Sequence, residues 1–251
     1  MSRGREALIV TNIRREQPGT ILYVLKKRGW TSKIVNLEAG ETFPSPKSYG
    51  ALIVMGGPPS ANDTREQTPW MPDEIAKIQE ALAAKVPYFG VCLGMQTFVK
   101  AAGGEIIKSP QKEVGFRESY GNHLGKLYSV QLTAEGREDP IFSDLPDMLP
   151  VFHLHGETVK LSPMMNPPAK LLAEGEVVTN QIVKVGDNAY GTQGHFELTP
   201  QMLEEWLKVD PDLLNLGQRG VEQVHQDFQQ LQHEYTQTAT KIFNNFLKLI
   251  E

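Results

Sequence analysis

The single cysteine of this chain lies in a glycine frame typical of a nucleophile. Cys92 follows the apolar run at residues 86–91 and has a glycine two positions to either side, Gly90 and Gly94. A sharp turn between a strand and a helix requires small residues there, because a Cβ would collide with the crowded backbone. Such a turn holds the sulfur at the start of the helix, where unpaired N–H groups and the helix dipole favour a thiolate. A lone cysteine is more often a small buried apolar residue than a nucleophile. For Cys92 the glycine frame gives the two interpretations equal weight.

A cysteine nucleophile needs a base and a group that orients the base, and His195 and Glu197 are the candidates. The two residues are two positions apart, so in an extended segment both side chains project to the same side. Glu197 can then accept a hydrogen bond from one imidazole nitrogen while the other faces the sulfur. His-x-Glu pairs are common on protein surfaces, so the spacing alone does not indicate a catalytic pair. This pair is a candidate because it follows a strand-like run that could bring it to the carboxyl edge of the sheet.

Two further turns offer groups that a substrate at Cys92 would need. Gly57 follows the buried run at residues 51–55, and its N–H and that of Leu93 could form an oxyanion hole. A plain turn after a strand explains the Gly-Gly-Pro sequence there equally well. Gln96 lies about one helical turn after Cys92 and can reach a bound substrate, although a solvated helix residue is the alternative.

A second polar cluster contains His153 and His155. A His-x-His pair can bind a metal ion, but no third ligand has a recognisable spacing, so we expect no metal and no other cofactor. We interpret residues 155–158 as a loop near the substrate.

Short apolar runs alternate with helix-like segments in the first hundred residues, which predicts an α/β fold with a mostly parallel sheet and helices on both faces. Ligands of such sheets bind beyond the carboxyl ends of the strands, where Gly57 and Cys92 lie. The predicted strands are residues 7–10, 33–37, 51–55 and 86–91, and the predicted helices are residues 20–28 and 71–85.

After Gly104 the pattern changes to short strand-like runs bounded by turns, which predict added antiparallel strands. A long helix is predicted for residues 220–251 because apolar residues recur there at spacings of three and four. We expect residues 1–199 to form one domain and residues 200–251 a helical extension packed on it. The alternative for the long helix is a docking or dimer surface. The antiparallel strands are predicted at residues 127–132, 171–174, 181–185 and 189–193, loops at 115–125 and 139–150, and a short helix at 200–209.

Composition narrows the class of protein. The formal net charge is −5 and the basic residues are scattered, so we expect no nucleic-acid partner. The N-terminal residues lack a signal-peptide pattern, and no apolar stretch is long enough to span a bilayer. With one cysteine no intrachain disulfide can form, and these features together favour the cytoplasm.

Five motifs in register resemble those of class I, triad-type glutamine amidotransferases, in the branch similar to the amidotransferase domain of GMP synthase. The resemblance implies a flavodoxin-like fold, a Cys92–His195–Glu197 triad, oxyanion donors at Gly57 and Leu93, and substrate contacts from Gln96, Gly115 and Phe116. The chain departs from the family at Gly194 and Phe196, where Phe and Pro are usual. The motifs are Met55-Gly56-Gly57-Pro58, Gly90-Val91-Cys92-Leu93-Gly94-Met95-Gln96, Glu113-Val114-Gly115-Phe116, His155-Gly156-Glu157-Thr158 and Gln193-Gly194-His195-Phe196-Glu197.

The resemblance implies cleavage of the γ-amide of glutamine, or of a γ-glutamyl compound, through a cysteine thioester. The chain has no Gly-x-x-x-x-Gly-Lys-Ser/Thr loop for ATP, so a separate synthetase subunit would have to use the ammonia. A free-standing γ-glutamyl hydrolase and a non-catalytic binding module on the same fold are the alternatives. An α/β-hydrolase is disfavoured because its acid usually precedes the histidine. Assembly into homo-oligomers is left open.

Overall fold

The computed structural model describes residues 4–121 and 123–251, and within them eleven strands form a nine-stranded sheet and a two-stranded ribbon. The helices are α1 (Thr20–Lys27), α2 (Met71–Ala83), α3 (Leu93–Ala101), α4 (Ala134–Glu138), α5 (Pro200–Val209), α6 (Pro211–Leu214) and α7 (Gly217–Ile250). The strands are β1 (Glu6–Thr11), β2 (Thr31–Asn36), β3 (Ala51–Val54), β4 (Tyr88–Val91), β5 (Glu105–Gly115), β6 (Ser129–Leu132), β7 (Met148–Pro150), β8 (His153–Lys160), β9 (Ala169–Glu174), β10 (Asn180–Val185) and β11 (Ala189–Thr192).

The large sheet has a parallel half and an antiparallel half, as the sequence predicted. Its strand order is β2-β1-β3-β4-β11-β10-β9-β6-β7. The pairs from β2 to β11 are parallel, and the pairs from β11 to β7 are antiparallel. The carboxyl ends of β1, β3, β4 and β11 therefore meet at one edge, which is where a ligand site of such a sheet is expected.

Both faces of the parallel half are covered, which explains why its strands are continuous apolar runs. Along β1, alternate residues pack into opposite cores: Ile9 lies in one cluster and Leu8 in the other. Residues of α1 and α7 fill the Ile9 side, while residues of α2 and α3 fill the Leu8 side. The sheet edge that holds the site is thus supported from two sides.

The ribbon of β5 and β8 was not predicted. Its strands are rich in Lys, Glu and Gln, so they lack the apolar alternation that indicates a strand. The expected loop at residues 155–158 is wrong, because these residues pair with β5, with His155 opposite Glu113. The expected loop at 139–150 contains β7, and the expected loop at 115–125, of which position 122 lies outside the described residues, carries a bridge between Arg117 and Leu127.

Helix α7 is 34 residues long and begins three positions earlier than predicted. Its first half packs Phe228 and Tyr235 beside Phe116, and its second half packs Phe246 against Phe89 of β4. None of the helices in the described part of the chain is both long and apolar enough to cross a membrane.

Arg117 and Asp227 link α7 to the segment after β5. The guanidinium donates from Nε to Asp227 Oδ2 at 2.7 Å and from Nη2 to Oδ1 at 2.8 Å, and the Asp227 side chain is fully buried. Replacing Arg117 with methionine leaves this carboxylate without its counter-charge. We expect the free energy of unfolding to fall by about 3–5 kcal/mol, measured by urea denaturation.

Lys126→Met is the matched control, because it breaks an ion pair with Glu176 in which both side chains are more than half exposed. Such a pair contributes about 0–1 kcal/mol. Equal shifts of the urea midpoint in the two variants would contradict a stabilising role for the Arg117–Asp227 link.

Candidate active site

The turn between β4 and α3 is strained at Cys92. Its backbone has φ 51° and ψ −106°, a conformation that side-chain-bearing residues rarely adopt. A Cβ at Gly90 would lie 2.4 Å from the Gly94 carbonyl oxygen, and one at Gly94 would lie 2.1 Å from the Val54 carbonyl oxygen. Both positions therefore require glycine, because close backbone contacts leave no room for a Cβ. This requirement explains why the glycine frame around Cys92 predicted the turn.

His195 and Glu197 follow β11 and lie beside the same turn. His195 Nδ1 and Glu197 Oε1 are 2.8 Å apart, and both side chains are buried. The backbone of His195 is held on both sides, since its N–H donates to the Phe152 carbonyl at 2.8 Å and its carbonyl accepts from the Tyr235 hydroxyl. The ring edge packs on Trp206, with ring centroids 5.1 Å apart. The imidazole orientation is thus determined by Glu197 and by aromatic residues from α5 and α7.

Two opposing effects act on the imidazole of His195. Burial lowers its pKa, but the charge of Glu197 and hydrogen bonds with Cys92 and Glu197 outweigh burial and raise the pKa well above 6.5. The ring nitrogen not bonded to Glu197 is therefore available to the sulfur. The structure brings Cys92, His195 and Glu197 together; their catalytic roles stay predictions.

A cavity of about 370 Å³ opens at the sulfur and is lined by Gly57, Cys92 and Gln96. Gly57 is close to Leu93, because a Cβ on Gly57 would lie 3.3 Å from Leu93 Cδ2. Leu93 is the first residue of α3, so its N–H has no acceptor within the helix. Gln96 Nε2 donates to the Glu157 carbonyl at 3.1 Å, which links α3 to β8. Gly57 and Gln96 thus line the cavity and Leu93 lies beside Gly57; their roles as oxyanion donors and substrate contact stay predictions.

Gly115 and Phe116 are not among the residues that line this cavity. The Phe116 N–H donates to the Tyr120 hydroxyl at 2.6 Å, and the Phe116 ring is fully buried. Gly115 has φ +82°, and a Cβ on it would lie 2.3 Å from the same hydroxyl. Both residues stabilise the end of β5 in this structure, and their contact with substrate remains a prediction from the resemblance.

Two polar side chains at the site were missed by sequence reasoning. Gln193 Nε2 lies 3.7 Å from Cys92 Sγ, and Glu16 lines the cavity with a buried carboxyl group. Both follow the carboxyl end of a parallel strand, Gln193 directly after β11 and Glu16 five residues after β1. The rule that predicted the Gly57 and Cys92 positions would have found them, had it been applied to every strand end.

One set of buried side chains could hold a metal ion. The ligand atoms of Glu113, His153 and His155 lie within 4.8 Å of one another. His155 Nε2 lies 3.0 Å from Glu113 Oε2, which also accepts from Gln181 Nε2 at 3.0 Å. Burial, with the charges of His155 and His195, lowers the pKa of His153 well below 6.5. The spacing of His153 and His155 did not reveal Glu113 as a third possible metal ligand. Glu113 is distant in the sequence and is brought next to His155 by the pairing of β5 with β8.

This chain belongs to the class-I glutamine amidotransferase family, whose sequence model matches residues 19–208. The match confirms the family that the five motifs indicated.

Among its relatives is the glutamine amidotransferase-like protein YfeJ of Salmonella typhimurium, with 32% identity over 192 residues that cover 75% of this chain and 74% of YfeJ. GMP synthase of Thermosipho africanus is 25% identical over 176 residues, which cover 70% of this chain and 29% of the synthase. A crystal structure of a glutamine amidotransferase from Thermotoga maritima superposes with a TM-score of 0.82 over 98% of both chains at 21% identity. This last likeness confirms the flavodoxin-like fold.

Proposed function

We propose that this chain hydrolyses the γ-amide of glutamine or of a γ-glutamyl compound through a thioester on Cys92. The observation that carries the proposal is the buried series from Cys92 through His195 to Glu197, in which the cysteine lines the cavity. Membership of the glutamine amidotransferase family supports glutamine-type chemistry. We also propose residues 1–199 as the catalytic unit and residues 200–251 as its helical extension.

In the proposed reaction, the Cys92 sulfur attacks the side-chain carbonyl carbon of the substrate. The N–H groups of Gly57 and Leu93 stabilise the negative oxygen of the tetrahedral intermediate. His195, oriented by Glu197, gives its proton to the leaving nitrogen as the C–N bond breaks and the γ-glutamyl thioester forms. Water then attacks the thioester carbonyl and loses a proton to His195, and glutamate leaves as the sulfur is regenerated.

The cavity carries both signs of charge, which suits the zwitterionic end of an amino acid. Arg15, Lys108 and Lys112 lie on its wall with Glu157 and Asp212. Arg15 and Lys112 already pair with aspartates, at 2.7 Å and 2.6 Å. An α-carboxylate can compete for Lys112 at low energetic cost, because the Lys112–Asp212 pair is partly exposed.

The fate of the released amine divides the proposal into two forms. In one form, a separate synthetase subunit takes up the ammonia. This form is suggested by the relatives named glutamine-hydrolysing GMP synthase, whose name joins glutamine hydrolysis to a synthase. In the other, the chain acts alone as a γ-glutamyl hydrolase.

Glutamate release by the purified chain tests the proposal. We expect release from L-glutamine or from at least one γ-glutamyl amide in a panel of leaving amines, measured by a coupled glutamate assay. Efficient turnover without a partner supports the free-standing hydrolase, and turnover that requires an added synthetase supports the subunit. A chain that releases no glutamate under either condition would contradict the proposed function.

A further inference from the structure

Glu16 is a buried carboxyl group at the cavity that the proposed reaction does not use. It lies in the segment of residues 12–19 that connects β1 to α1 across the carboxyl edge of the sheet. A Cβ on Gly56 would lie 2.1 Å from Glu16 Oε2 and 3.1 Å from His195 Cε1. The carboxyl group therefore lies against Gly56, close to the ring edge between the two nitrogens of His195.

Glu16 Oε2 is buried and has no hydrogen-bond partner among the described residues. The neighbouring Arg15 makes no hydrogen bond to Glu16 Oε2; its Nη2 donates to Asp210 Oδ2 at 2.7 Å. Asp210 in turn accepts from the backbone N–H groups that begin α6, so this pair is anchored. A buried acceptor without a donor is unfavourable, and a ligand that supplies an N–H group removes the penalty.

The position of Glu16 selects which part of the substrate supplies that N–H group. One nitrogen of His195 is bonded to Glu197, so the other must give the proton to the leaving nitrogen. The leaving nitrogen then lies within about 3 Å of that ring nitrogen, and Glu16 lies close to Cε1, the ring carbon next to it. We place the α-amino acid end of the substrate at the charged wall of the cavity.

We propose that Glu16 binds the nitrogen of the scissile amide by accepting its N–H, and that it selects amides over esters of the same acyl group. This inference rests on the proposed function. Glu16 takes up no proton: His195 gives the proton, the C–N bond breaks, and the released amine remains hydrogen-bonded to the carboxylate. Of two substrates that form the same γ-glutamyl thioester, only the one with an N–H leaving group gains from Glu16.

The ionisation of Glu16 gives the selection a pH dependence. Burial, the largest effect, raises the pKa of Glu16 to about 7; the charges of His195 and Arg15 oppose the shift, and those of Glu197 and Asp210 add to it. Below that pH the carboxyl group is neutral and accepts an N–H less strongly. The ratio of amide to ester turnover therefore falls as pH decreases through 7. Protonation of His195 alone would have the opposite effect and raise the ratio of amide to ester turnover. A proton from His195 assists departure of the amine, which is a poorer leaving group than the alcohol of the ester.

The test compares L-glutamine with the γ-methyl ester of L-glutamate in wild type and in the isosteric variant Glu16→Gln. We expect kcat/KM for glutamine to fall about 10- to 100-fold in the variant, as for loss of a charge-assisted hydrogen bond, while kcat/KM for the ester changes little. Glu157→Gln is the matched control: Glu157 also lines the cavity, but its Oε2 accepts from Ser60 Oγ at 2.7 Å. Its effect on the two substrates should be equal.

The outcomes separate the two proposals. Equal losses for both substrates in Glu16→Gln, or no loss, would overturn the role of Glu16 and leave the proposed function standing. A wild-type chain that releases glutamate from neither substrate would overturn the proposed function, and this inference with it. If the variant does not fold, as judged by circular dichroism, the wild-type amide-to-ester ratio between pH 6 and 8 decides, and a ratio that does not fall toward pH 6 overturns the inference.

Discussion

We expect replacement of Cys92 with alanine to lower kcat for the proposed glutamate release by at least about 10⁴-fold, because the proposed acyl intermediate forms on its sulfur. The substitution removes one sulfur atom from a side chain that is 6% exposed, so the fold should be retained. Glutamate release by purified wild-type and variant chains at matched concentration measures the effect. The residual rate reports what the oxyanion donors and substrate binding achieve without a nucleophile.

Thermal unfolding of the Cys92→Ala variant supplies the control for this loss. Alanine also has to adopt the left-handed conformation of Cys92, so we expect a similar unfolding temperature in the two chains. Undiminished glutamate release from a folded variant would remove Cys92 from the reaction and would favour a binding module on the same fold.

Gly94→Ala is expected to lower both the stability and the activity of the protein. The new Cβ would lie 2.1 Å from the carbonyl oxygen of Val54, an atom of β3 that cannot move without breaking the sheet. We expect the free energy of unfolding to fall by about 3 kcal/mol, the upper part of the usual range for overpacking, and activity to fall with it because the turn must shift. Urea denaturation followed by circular dichroism measures the loss of stability.

Gly121→Ala is the matched substitution, since nothing lies within 4 Å of its ideal Cβ and its φ is not in the left-handed region. Its free energy of unfolding should change by less than about 0.5 kcal/mol. If the two alanine variants were equally stable, the close packing of the turn on β3 would not be required.

The sequence predicted the parts of this molecule whose signals are local. Short apolar runs located the parallel strands, and the two glycines around Cys92 located the turn, since a Cβ at Gly90 would meet the carbonyl oxygen of Gly94 within the same turn. His195 and Glu197 were found from their spacing, but their approach to the sulfur depended on the position of β11 beside β4.

Other parts of the site depend on contacts between distant segments, which the sequence does not display. The strand-end rule points to the segment that contains Glu16, but only the structure shows that this side chain is buried at the cavity and lies beside Gly56. The ribbon of β5 and β8 was missed because its charged strands are stabilised by pairing and not by an apolar face. The packing of the Phe116 ring among the aromatic residues of α7 was likewise not visible in the sequence, and the substrate contact of its backbone stays a prediction from the resemblance.

The hydroxyl contact between Tyr235 and the His195 carbonyl has a consequence for how this protein can be shortened. The family match ends at residue 208, whereas Tyr235 lies far beyond it in α7. A fragment trimmed to the matched region would keep the sulfur, the imidazole and the carboxylate, yet it would lose the hydroxyl that holds the backbone of His195. The family match therefore ends before the residues that support the site do, and any shortened version of this protein has to include the last helix.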